Sequence, residues 1–172
     1  HFFVGQGQSD PIIAQEVEVL VEGMPLPIAH WTFDDAEQLE RDFSPDPAKA
    51  EIVGTVLPAQ GLHGNAVDLS QGGSLEIADA PKFQLKKRAT LAAWTKWTGA
   101  ETAGVRIIGK PRPHKAADLW NLWIGRTKAG GEFHFPAGGP EGTGVGFIAN
   151  VTPNRWNHTA ITFDGVRVVC YV

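Results

Sequence analysis

The sequence is poor in several things that usually advertise a function. A single cysteine, Cys170, leaves no disulfide possible within the chain, so stability must come from a packed core. At 172 residues the chain is long enough for one; area scaling has such a chain bury about 69% of its unfolded surface. No apolar run approaches the roughly 18 residues that a membrane-crossing helix needs. The formal net charge of −4 provides no basic face, which speaks against nucleic acid as a partner. The six histidines (1, 30, 63, 114, 134 and 158) show no metal-ligand spacing. The glycine-dense stretch 138–146 lacks the Gly-Lys-Ser/Thr ending of a phosphate loop and reads as an inter-strand loop. No serine sits in a nucleophile-elbow context.

What the sequence has is turns and aromatics: 20 Gly, 12 Pro, 6 Trp and 9 Phe. Short β-favouring runs recur at 12–21, 28–33, 51–57, 65–69, 74–77, 89–97, 104–109, 119–124, 131–135, 145–149, 155–163 and 166–172. Turn signals separate them, among them Gly61-Leu62-His63-Gly64 and Gln71-Gly72-Gly73, and the best hairpin signal is Asp164-Gly165. A spacing of about ten residues predicts an all-β, two-sheet antiparallel sandwich of the jelly-roll kind. The helical candidates are short: Asp35–Arg41, or a turn near Pro81–Leu85. In 12–21, Val17, Val19 and Val21 fall on one side and Glu16 and Glu18 on the other, a strand with a wet face. Met24-Pro25-Leu26-Pro27 breaks that strand. The reading therefore divides the chain into an N-terminal extension with one strand, 1–27, and a main domain, 28–172. In 89–97, Leu91, Ala93, Thr95 and Trp97 alternate with Thr90, Ala92, Trp94 and Lys96. With a Trp in each set, this strand is expected to be central and covered on both faces.

Several of these runs are similar to a known family. The segments are His30-Trp31-Thr32-Phe33-Asp34, Gly61 to Leu69, Ala89 to Lys96, and Ile107-Ile108-Gly109-Lys110. The strongest is Trp156-Asn157-His158-Thr159-Ala160-Ile161-Thr162-Phe163-Asp164-Gly165, running into the strand that carries Tyr171-Val172. In this order they resemble the laminin-G-like, concanavalin A-like jelly-roll domains of secreted bacterial proteins, over 28–172. The resemblance implies a non-catalytic recognition or scaffolding module, extracytoplasmic, with a glycan or protein partner. In that family the Tyr-Val strand continues into Asp-Gly and further strands. The expectation is thus a sandwich incomplete at its C-terminal side, finished by residues 1–27 or by a strand from another chain. An accessory structural subunit of a larger assembly is the alternative, and a glycosidase-like enzyme a second. Glycosidases on this fold carry Glu-x-Asp-x-(x)-Glu on one strand, which this sequence lacks; Glu132-Phe133-His134 offers one acid without a partner.

Two groups of residues are candidates for a site. Sugar sites expose aromatic rings beside polar anchors. Trp97, Trp120 and Trp123 could serve so, with Asn121 and Arg126 nearby, while Trp31, Trp94 and Trp156 fall at positions that look like core. Six carboxylates crowd Asp34 to Asp46, with Arg41 as the counter-charge. A solvated acidic loop is the simple reading; Ca²⁺ held by Asp34, Asp35 and Asp42 is the metal reading. No other cofactor is expected.

Overall fold

The computed structural model describes residues 2–6, 12–85, 88–97, 104–111, 118–125, 127–134 and 143–172. The described chain forms β1 (Phe2–Gln6), β2 (Ile12–Val21), β3 (Ala29–Trp31), β4 (Ala50–Val53), β5 (Leu57–Gln60), β6 (Asn65–Asp68) and β7 (Ser74–Ile77). After a 3-10 turn at Pro81–Phe83 follow β8 (Ala89–Trp97), β9 (Val105–Pro111), β10 (Asp118–Gly125), β11 (Lys128–Phe133), β12 (Thr143–Asn150), β13 (Trp156–Phe163) and β14 (Val168–Tyr171). Their pairings are antiparallel and build two sheets. Sheet A runs β12-β11-β10-β9-β1-β7-β4; sheet B runs β14-β13-β8-β2-β6-β5, with β3 also on β2. This is the expected all-β sandwich. The expected helix at Asp35–Arg41 is absent, and the turn near Pro81 is the 3-10 segment.

The two sheets face each other over one continuous apolar core. Trp31, Leu91, Trp97, Leu75, Phe83, Trp120, Leu122 and Phe133 are all buried in it. Burial of a large apolar side chain is worth about 1.5–3 kcal/mol, so this layer dominates the fold's stability. The close approach of the sheets shows at Gly131 on β11. A methyl group there would come within 2.7 Å of Ile161 Cδ1 on the opposite sheet, and would also strike the Asn121 carbonyl.

The division near Ile28 is corrected by the strand order. Residues 1–27 carry two strands, one in the interior of each sheet: β1 lies between β9 and β7, and β2 between β8 and β6. The proline break is a turn. Met24 N donates to Val21 O at 3.1 Å, and β3 returns antiparallel on β2 with Val17, Glu18 and Val19 opposite Trp31, His30 and Ala29. Proline cannot continue a ladder, but it suits the tip of a connection.

β2 also changes face part-way. Ile12 and Ala14 are buried at its start, Val17 and Val19 further on, so the buried set passes from even to odd numbers. A β-bulge absorbs the extra residue: the register on β8 shifts between Gln15 and Glu18, and Glu16 adopts φ 50. Bulges re-aim side chains. Here Gln15 and Glu16 both leave the core.

Candidate functional site

Trp97 and Trp120 occupy core positions, at 0% and 1% exposure. Trp120 Nε1 donates to Phe83 O at 3.3 Å. This corrects the expectation that these two rings present a sugar platform, because alternation turns both towards the facing sheet. Trp123 is half-buried on β10, three residues from Trp120 and two from Asn121. Asn121 is buried at 2%; its Nδ2 donates to Glu132 Oε1 at 2.8 Å, and Glu132 Oε2 lies 2.8 Å from His134 Nε2. Glu132 is thus held between an amide and an imidazole. Arg126 lies outside the described residues.

The three aspartates of the calcium expectation do not converge. Asp42 is buried and organises its own loop. Its Oδ1 accepts from His30 N at 2.9 Å and Ser44 N at 2.8 Å; its Oδ2 accepts from Ala48 N at 2.7 Å and Ser44 Oγ at 3.0 Å. Lys82 Nζ stands 3.8 Å away. Asp35 accepts from Glu37 N and from Gln38 Nε2 at 2.7 Å, and Asp34 accepts from Asn65 N at 3.3 Å. Among the described residues no three His, Cys, Asp or Glu are grouped as a metal site. A calcium ion needs six to eight convergent oxygens, and oxygens already committed to backbone N–H groups do not supply them. The wide cleft over this loop, about 570 Å³, is lined by Gln38 to Ser44 and Pro47 to Ala50.

The outer face of sheet B carries a row of aromatic and polar side chains. Trp94 on β8 lies opposite Gln15 on β2 and His158 on β13, so the three form one cross-strand row. The Trp94 and His158 rings are 5.1 Å apart between centroids, tilted 49°. Trp94 is half-buried and His158 exposed; Trp156, opposite Lys96 one step along the strands, is half-buried too. Beside the row opens a cleft of about 250 Å³, bounded by Trp94, Gln15, Glu16, Asp34, His63 and the Leu62-Gly64 backbone.

Each wall of this cleft follows from local sequence. The bulge of β2 presents Glu16 to solvent. Gln15, buried at 5%, staples the 61–64 turn: its Oε1 accepts from Leu62 N at 2.9 Å and its Nε2 donates to the His63 carbonyl. Gly61 N donates to Gly64 O at 3.0 Å, closing the turn. Gly64 sits at φ +66, where a methyl group would also lie 2.5 Å from Asp34 Oδ1, so glycine is required there. Asp34 in turn is tied to β6 through Asn65, whose Nδ2 donates to the Asp34 carbonyl at 2.7 Å. The walls are therefore fixed by hydrogen bonds made within the protein, and among the described residues the Glu16 carboxylate and the His63 ring carry no hydrogen bond or ion pair.

Sequence reasoning placed Trp94 and Trp156 in the core. The signal that separates them from Trp97 is in β8: Leu91, Ala93 and Trp97 share one side, while Trp94 shares its side with Thr90 and Lys96. The free thiol, Cys170, is half-buried on β14, and burial pushes its pKa up, away from thiolate chemistry.

The Laminin_G_3 family, described as the Concanavalin A-like lectin/glucanases superfamily, matches residues 69–172, more than half of the chain. No curated protein and no solved structure matches it.

Proposed function

The chain belongs to the Laminin_G_3 family of concanavalin A-like lectins and glucanases, and from that premise we propose that it is a non-catalytic recognition module that binds glycan in the Trp94 cleft. The family supports a recognition role and, by its description, a sugar ligand; laminin G-like domains are typically non-catalytic and commonly extracellular. An extracytoplasmic location goes with this reading. The observation that carries it is the row Gln15, Trp94, His158 beside a cleft with fixed polar walls. An indole face offers a flat apolar surface to pyranose C–H groups, and the polar atoms around it orient hydroxyls.

The test is a glycan array on the purified protein, followed by calorimetric titration of the best ligand. Saturable binding that Trp94→Ala abolishes, with an unchanged melting temperature, supports the reading. Binding that survives Trp94→Ala refutes the site, and no glycan bound at any concentration refutes the function.

A second reading rests on β14. Among the described residues it pairs with β13 on one side alone, and it exposes Val169 and Tyr171. A strand from a partner chain added to that edge would make the protein a structural subunit. Its test is whether an equimolar partner protects the β14 amides from hydrogen exchange.

A further inference from the structure

We propose that the sugar taken by the Trp94 cleft carries a free ammonium group, so that the ligand is an amino-sugar glycan rather than a neutral or uronic-acid one. This rests on the reading above and specifies its chemistry. The cleft is lined by two carboxylates, Glu16 and Asp34, and by no lysine or arginine. Lys96, one step along β8 beyond Trp94, lies outside the lining. Glu16 is exposed, and among the described residues its carboxylate makes no hydrogen bond or ion pair. Its neighbour Glu18 is occupied by His30 at 3.5 Å. Asp34 is exposed, and its Oδ1 accepts from the Asn65 N–H at 3.3 Å.

Two carboxylates around an indole face form a box for a cation. The ring quadrupole attracts an ammonium placed over it, and the carboxylates add charge-assisted hydrogen bonds. The same box rejects a uronate, whose carboxylate would be desolvated beside two like charges. A neutral sugar would leave both acidic walls without a charged partner. The small volume, about 250 Å³, suits a single ring or its substituent; pockets for drug-sized ligands span roughly 300–1,000 Å³. The bulge, with Glu16 at φ 50, turns that side chain out to solvent. N-acetylation deletes the charge while keeping the ring, which makes it the discriminating change.

The experiment titrates the protein at neutral pH and low salt with four probes: a β-1,4-linked glucosamine oligomer, its fully N-acetylated form, its N-trimethylated form and a uronic-acid oligomer. The expected result is that the amine and trimethylammonium forms bind at least tenfold tighter than the acetylated form, with the uronate weakest and salt eroding the difference. Glu16→Gln should cut the preference for the amine over the acetylated form severalfold, and Asp34→Asn should act the same way. Equal affinities for amine and acetylated forms overturn the ammonium assignment, as does a uronate preference. In either case loss of binding in Trp94→Ala would leave the glycan site standing. Tighter binding of a trimethyl-lysine peptide than of any amino sugar would move the cleft to protein recognition and overturn the sugar assignment.

Discussion

Trp94 and Trp97 sit three residues apart on β8 and face opposite worlds: Trp97 is sealed between the sheets, and Trp94 stacks on His158 at the surface. A strand alternates sides at every residue, so an odd separation puts two side chains on opposite faces. The consequence is an experimental asymmetry between two chemically identical substitutions. Trp97→Ala opens a large cavity and should cost about 3–5 kcal/mol, as should Trp120→Ala. Trp94→Ala should leave stability within about 1 kcal/mol of wild type. Chemical denaturation of the three variants checks this, and comparable losses in all three would place Trp94 in the core after all.

Asp42 behaves as a structural acid. Four donors converge on its buried carboxylate, three of them backbone N–H groups. Asp42→Ala should therefore destabilise by about 3–5 kcal/mol, since it strips the acceptor from four donors, while Lys82 keeps Asp46 as its acid. Adding calcium or a chelator should leave the melting temperature of the wild type unchanged, a measurement that takes one thermal scan in each condition.

The Asp79–Lys110 pair gives stability a pH dependence of known sign. Lys110 is 4% exposed and its ammonium lies 2.5 Å from the Asp79 carboxylate. Burial pushes the Asp79 pKa up, but the hydrogen bond and charge of Lys110 outweigh it and hold the carboxyl below its ordinary 3.8. A carboxyl lowered on folding stabilises above its ordinary value, and that contribution fades as pH falls through the lower folded value. Asp79→Asn should then be less stable than wild type at neutral pH, with the gap closing under strong acid. A gap independent of pH would show that the pair's charge contributes nothing.

Gly131 is a spacing residue between the sheets. Gly131→Ala forces a methyl group against Ile161 and the Asn121 carbonyl, and should cost about 1–3 kcal/mol. Pairing it with Ile161→Val should recover part of the loss; a strictly additive double variant would show that the contact is not made.

At the β13–β14 hairpin, Asp164 Oδ1 accepts from Val166 N at 2.8 Å and from Arg167 N at 2.7 Å, and Gly165 takes φ +99. These backbone hydrogen bonds hold the Asp164 carboxyl below its usual range. Asp-Gly between two apolar runs carries this turn in the sequence itself, because the carboxylate and the missing Cβ act within a few residues.

That is the general division. The sequence by itself determined the class of fold, most strand positions, the hairpin and the family, since alternation, turn chemistry and the Trp156 to Gly165 segment are local patterns. Even the bulge is written there, as the step from Ile12 and Ala14 to Val17 and Val19. Only the tertiary structure decided that residues 1–27 supply an interior strand to each sheet, because strand order depends on partners many residues away. Only it decided which tryptophans meet water: on a strand with a Trp on either side, the face that becomes core is chosen by the sheet packed against it. And only it joined Gln15, Asp34, His63 and Trp94 into one cleft, since no spacing along a chain records that four separate segments arrive at the same place.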